Sequence, residues 1–165
     1  MVHSKEKGNI EERKQAKQLG VWIFDDPQFI RKSEGSGSTR IVWSGDIHPV
    51  KPLPEIWKNH WPFHIEIKKG YEDHIPSPWK RTQMEKWVRK CFDESRIHNQ
   101  QVIWLITQFP NKSALLSTNY CIPTVPFQIC WVVDYEGTVY YFYTYMLKDL
   151  MLLNFYDVFA SLFEE

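Results

Sequence analysis

Residues 63–68 (FHIEIK) alternate between apolar and polar: Phe63, Ile65 and Ile67 fall on one side, His64, Glu66 and Lys68 on the other. Successive side chains of a strand point to opposite faces, so this segment predicts a β-strand with one apolar face. Residues 102–107 (VIWLIT) form an unbroken apolar run, the pattern of a central strand covered on both sides. Residues 127–133 and 138–143 flank a Glu136-Gly137 pair suited to a turn and predict a hairpin. Helical signals fall elsewhere. Residues 10–19 (IEERKQAKQL) are good helix formers stopped by Gly20, and residues 82–96 set Met84, Trp87, Val88 and Cys91 near one face. Residues 154–163 predict a last helix. Residues 31–40 (RKSEGSGSTR) read as a loop, and residues 41–43 as the start of a strand that ends at Asp46. Pro49, Pro52 and Pro54 then interrupt the chain. The order predicts an α/β or α+β domain, a mixed central β-sheet flanked by helices, over residues 1–165.

Composition agrees with a single globular domain: 165 residues, 43% hydrophobic and 24% charged. The aromatic share of 16% fills a core, and Trp57, Trp61 and Trp79 are expected to pack around the proline-rich segment rather than stack on bases. Net charge is zero but uneven. From Ser113 onward one lysine, Lys148, stands against six carboxylates, a balance of −5 that leaves +5 for residues 1–112. A basic N-terminal part permits a local phosphate-binding face. Cys91, Cys121 and Cys130 lack a CxxC spacing and are expected to be buried thiols in a reducing, intracellular compartment. No apolar run is long enough to span a bilayer, and the charged N-terminus has no apolar signal region.

The candidate chemistry sits on the polar side of the first strand. Glu66 and Lys68 share that side, and Asp46 reaches the same place if its segment pairs with the strand. Two carboxylates make a hard oxygen site for Mg²⁺ or Mn²⁺, and an adjacent ammonium can position a water or offset charge developing on phosphorus. Those residue types fit phosphodiester hydrolysis. Glu-x-Lys alone is also the pattern of a solvated surface ion pair. His48, His60 and His64 have no metal-ligand spacing, which argues against zinc; His64 shares the polar side and is a candidate to support Glu66. There is no glycine-rich nucleotide loop and no Ser/His/Asp arrangement.

RKSEGSGSTRIVWSGDI followed by WPFHIEIKKG resembles the archaeal Holliday junction resolvases and related phage-encoded PD-(D/E)XK endonucleases. The family pattern is a helical glutamate, an Arg-x-x-x-Ser-Gly loop, Gly-Asp, then Glu-x-Lys on a strand. Here the helical glutamate is Glu12, with Glu11 the alternative one residue away. The loop serine is Ser36, and Gly45-Asp46 and Glu66-x-Lys68 complete the order. The run QVIWLITQFPNK looks like the strand after the family's second helix, so the resemblance covers residues 8–112. One position departs: Lys90 stands where many phage relatives carry glutamine.

The resemblance implies a restriction-endonuclease-like core; residues 113–165, which it does not cover, are expected to complete the fold as a hairpin and helix. It implies a Mg²⁺- or Mn²⁺-dependent DNA endonuclease, a homodimer acting on branched DNA, with Asp46, Glu66 and Glu12 as metal ligands. Lys68 would orient the attacking water. Arg31, Lys32, Ser36, Arg40 and Lys69 would contact the DNA backbone. The rivals are a restriction- or repair-type nuclease on linear DNA and a silent nucleic-acid-binding module.

Overall fold

Helix α1 (Ser4–Phe24) runs past the glycine expected to stop it. A Cβ on Gly20 would lie 2.6 Å from the Asp26 carbonyl oxygen, so glycine is needed there for close approach of the returning chain. Leu19 and Ile23, both buried, carry the helix through that turn, and Asp25, at φ 53°, ends it. These elements come from a computed structural model that describes residues 4–33, 43–69, 81–108 and 113–163.

A short antiparallel ribbon follows, β1 (Ile30–Lys32) with β2 (Ile47–Pro49). A 3₁₀ turn (Glu55–Trp57) and the buried Trp61 lead into β3 (Phe63–Lys69). Helix α2 (Arg81–Arg96) crosses over to β4 (Val102–Gln108), which pairs with β3 in parallel from Phe63↔Val102 to Lys69↔Gln108. Strands β5 (Leu115–Thr118), β6 (Ile129–Tyr135) and β7 (Thr138–Met146) add antiparallel partners, giving the order β3-β4-β5-β7-β6. The sheet is therefore mixed, as the element order predicts.

Each face has its own core. On one, Phe63, Ile65, Trp104 and Ile106 pack beneath α1 and the C-terminal turns. On the other, Ile103 and Leu105 pack under Met84, Val88, Cys91 and Phe92 of α2. That double cover explains the unbroken apolar run of β4.

Several expectations are corrected. Asp46 lies not at the end of a strand but on a bend before β2; residues 41 and 42 fall outside the described part. Arg31 and Lys32, read as loop, belong to β1 because they pair with His48 and Ile47. The C-terminal helix is broken into α3 (Leu147–Leu150), α4 (Phe155–Val158) and a 3₁₀ turn (Ala160–Leu162). Asn154 caps α4 by accepting from the Tyr156 and Asp157 N–H groups, and Phe155 and Phe159 then plug the core. Of the cysteines only Cys91 is buried; Cys130 lies exposed on the outermost strand, and Cys121 is exposed in the turn after β5. Trp57 and Trp61 are core residues as expected, and Trp79 lies outside the described residues.

Candidate active site

Asp46 reaches β3 because glycine precedes it. Gly45 has φ +105° and forms a one-residue parallel bridge with Ile65. A Cβ there would come within 2.7 Å of the Ile65 carbonyl oxygen, which only glycine avoids. The Asp46 N–H donates to the Ile65 carbonyl at 2.8 Å, and the Ile67 N–H donates to Asp46 Oδ2 at 2.7 Å. Asp46 is thus clamped to the strand edge on both sides of Glu66. Burial, then the neighbouring Glu66 charge, push its carboxyl up to about 7, against the Ile67 N–H and Lys68.

Glu66 is not a surface group. Its side chain is only 3% exposed, and Lys68 Nζ contacts its Oε1 directly. From α2, Lys90 Nζ approaches the same oxygen at 3.2 Å. Burial alone would raise the Glu66 pKa, but the two ammonium groups outweigh it and hold the carboxyl below its ordinary range. Lys90 is in turn held above the ordinary lysine range, Glu66 and Glu94 outweighing its own desolvation. The Lys90 contact was not readable from the sequence, because α2 meets β3 only after the crossover folds.

The two helical glutamates separate. Glu12 pairs with Lys32 Nζ at 2.9 Å, and its charge adds to those raising the Asp46 pKa. Glu11 is buried, accepts from Gln15 Nε2 at 2.9 Å and pairs with Lys69 Nζ at 3.1 Å. Burial opposes ionisation of Glu11, yet Gln15 and the nearby lysines hold its carboxyl below the usual range. Glu11 therefore ties α1 to the end of β3, and Lys69 is engaged there. Arg31 donates to Gln28 Oε1 at 3.3 Å, while Ser36 and Arg40 lie outside the described residues.

Beside the site, between α1 and β1, opens a cleft of about 540 Å³. Arg13, Lys17, Arg31 and Lys32 line it, and among its described lining residues there is no carboxylate. On the α2 side of β3, His64 is fully buried and neutral at neutral pH, burial pushing its pKa down to about 4. Its 3.7 Å approach to Glu94 is therefore not an ion pair at neutral pH. His48 shares its Nδ1 with Ser33 Oγ at 3.0 Å, and its pKa is lowered mainly by burial.

Asp46 is half-buried and Glu66 buried, and their carboxylates are hard oxygen donors of the kind that suit a divalent cation. Asp46 resists ionisation beside Glu66, so that edge of the site is short of positive charge.

No curated protein and no solved structure matches the chain significantly. A family model does: that of the phage putative PDDEXK endonucleases, over residues 3–128. The mixed sheet flanked by helices is the restriction-endonuclease-like core that such a match implies. With most of its length matched, the chain belongs to this family of PD-(D/E)XK nucleases.

Proposed function

We propose that the chain is a metal-dependent DNA endonuclease that hydrolyses phosphodiester bonds, with the Holliday junction as its substrate. The observation that carries the nuclease reading is Asp46 held by the Ile67 N–H beside a buried Glu66 that Lys68 contacts. Asp46 and Glu66, with Glu12 from α1, would hold Mg²⁺ or Mn²⁺. Bound there, the ion supplies an acidified water and screens the phosphate charge. Lys68 orients the attacking water and offsets charge developing on the phosphorus. Lys90, reaching the same Glu66 oxygen from α2, helps keep Glu66 ionised.

The cationic cleft supports a nucleic-acid substrate. Arg13, Lys17, Arg31 and Lys32 line it, Lys32 paired with Glu12, and would attract backbone phosphates. A homodimer fits the junction reading, since a symmetric substrate needs two equivalent sites. The exposed Val139 and Tyr141 of the β6–β7 hairpin supply apolar surface for it.

The test is a substrate panel. Four-way junctions, linear duplex and single strands are incubated with Mg²⁺ or Mn²⁺, and in parallel with EDTA. Paired, symmetric incisions confined to junctions, abolished by EDTA, are expected. Equal cleavage of linear duplex would replace the junction reading with the restriction or repair one. DNA binding without any cleavage would leave only a binding module.

A further inference from the structure

We propose that His64, Glu66 and Glu94 form a binding site for a transition-metal dication, on the α2 side of β3 and sharing Glu66 with the Asp46 pair. One ligand atom from each of the three residues can be chosen so that all lie within 4.8 Å of one another. Metal–ligand bonds of about 2.0–2.2 Å span such a cluster after small side-chain adjustments.

A hydrogen-bond relay fixes how His64 presents itself. Gln100 Nε2 donates to the Phe63 carbonyl at 2.5 Å and approaches the Ser44 carbonyl at 3.5 Å. That orients the Gln100 amide, so its Oε1 accepts from the Ser44 N–H at 3.1 Å and from Ser44 Oγ at 2.5 Å. The single Ser44 hydroxyl proton is then used. At 2.8 Å from His64 Nδ1, Ser44 Oγ acts as the acceptor, which places the imidazole proton on Nδ1.

Nε2 is left with a bare lone pair. It is buried, makes no hydrogen bond, and points at Glu94 Oε2 at 3.7 Å. Two acceptors facing each other call for a cation between them. An imidazole whose other nitrogen is held by a hydrogen bond is the usual arrangement of a metal-binding histidine. One imidazole nitrogen with two carboxylates selects Mn²⁺, Fe²⁺ or Zn²⁺ over Mg²⁺ and Ca²⁺. Lys90 competes for the place. Its Nζ lies 3.2 Å from Glu66 Oε1 and 3.3 Å from Glu94 Oε1, but its side chain is 55% exposed and can swing into solvent.

The site stands on His64 and Glu94 and does not depend on the nuclease reading. Co²⁺ is the probe, added to the metal-free full chain and followed by visible absorption, with circular dichroism to verify folding. A Co²⁺ band is expected in the wild type and in Asp46→Asn, and lost in His64→Asn and Glu94→Gln. Glu94 is 37% exposed on its side chain, so Glu94→Gln keeps the fold even if His64→Asn does not. Ser44→Ala should weaken Co²⁺ binding roughly 10–100-fold by freeing the imidazole. Lys90→Gln should saturate at lower Co²⁺. No band in the wild type, or an undiminished band in Glu94→Gln, overturns the proposal. A band lost in Asp46→Asn but kept in Glu94→Gln overturns it too. DNA cleavage is assayed separately: a Glu94-dependent band without cleavage supports this site while removing the nuclease reading.

Discussion

The two faces of β3 are made of neighbouring residues and do opposite things. On one, Phe63 and Ile65 are fully buried, and the Phe63 ring lies 4.3 Å from Trp104 and 5.0 Å from Trp61, centroid to centroid. On the other, His64 and Glu66 are equally inaccessible but carry an unpartnered nitrogen and a buried carboxylate. Burying an apolar side chain of that size stabilises by about 1.5–3 kcal/mol, whereas burying a charge costs unless partners offset it. The apolar face thus holds the strand in place while its reverse keeps carboxylates in an environment they would otherwise avoid. Strain in charge is concentrated where chemistry is proposed.

Breaking the apolar face should give the largest change in stability. Phe63→Ala is expected to lower unfolding free energy by about 3–5 kcal/mol in denaturant titration, since the aromatic cluster cannot collapse into the space. Glu66→Gln on the reverse should cost far less, because Lys68 and Lys90 both reach solvent, yet it should abolish cleavage. If both variants unfold alike, the division between the faces is wrong.

The next effect is pH-dependent. Asp46 has its pKa raised from 3.8 to about 7, so the folded chain holds a proton that the unfolded chain releases. Its contribution to stability is full below about pH 4 and is lost as pH rises towards 7. Asp46→Asn mimics the protonated form and can still accept from Ile67. Thermal melts should show it matching the wild type at pH 4 and exceeding it at pH 8. A constant difference across that range would contradict the charge repulsion. The same proton competes with a metal, so divalent-ion affinity should fall about tenfold per pH unit below 7.

Smaller still are the cleft residues. Arg13→Ala or Lys17→Ala should weaken DNA binding in EDTA without unfolding the chain, and each should lower the salt slope by about one. Unchanged slopes would place the DNA path elsewhere.

Period-two alternation in 63–68 and the apolar run of 102–107 made β3 and β4 legible, as the Glu136-Gly137 turn did the hairpin. Gly45-Asp46 and Glu66-x-Lys68 were legible as chemistry because short motifs keep their order in the chain. What was not legible depends on contacts between distant segments. Lys90 and Glu94 matter only once α2 lies over β3, and His64 acquires its bare nitrogen through Gln100, far along the chain. Gly20 looked like a helix stop because the sequence does not show Asp26 returning against it. Cys121 and Cys130 looked like core thiols because composition cannot tell an outer strand and turn from the interior.

Whether Asp46 and Glu66, with Lys68, form a hydrolytic centre is decided by single-turnover DNA cleavage by Asp46→Asn in saturating Mg²⁺. The expected rate is lower by about 10²–10³-fold with DNA binding preserved. Cleavage at the wild-type rate by folded Asp46→Asn would contradict it.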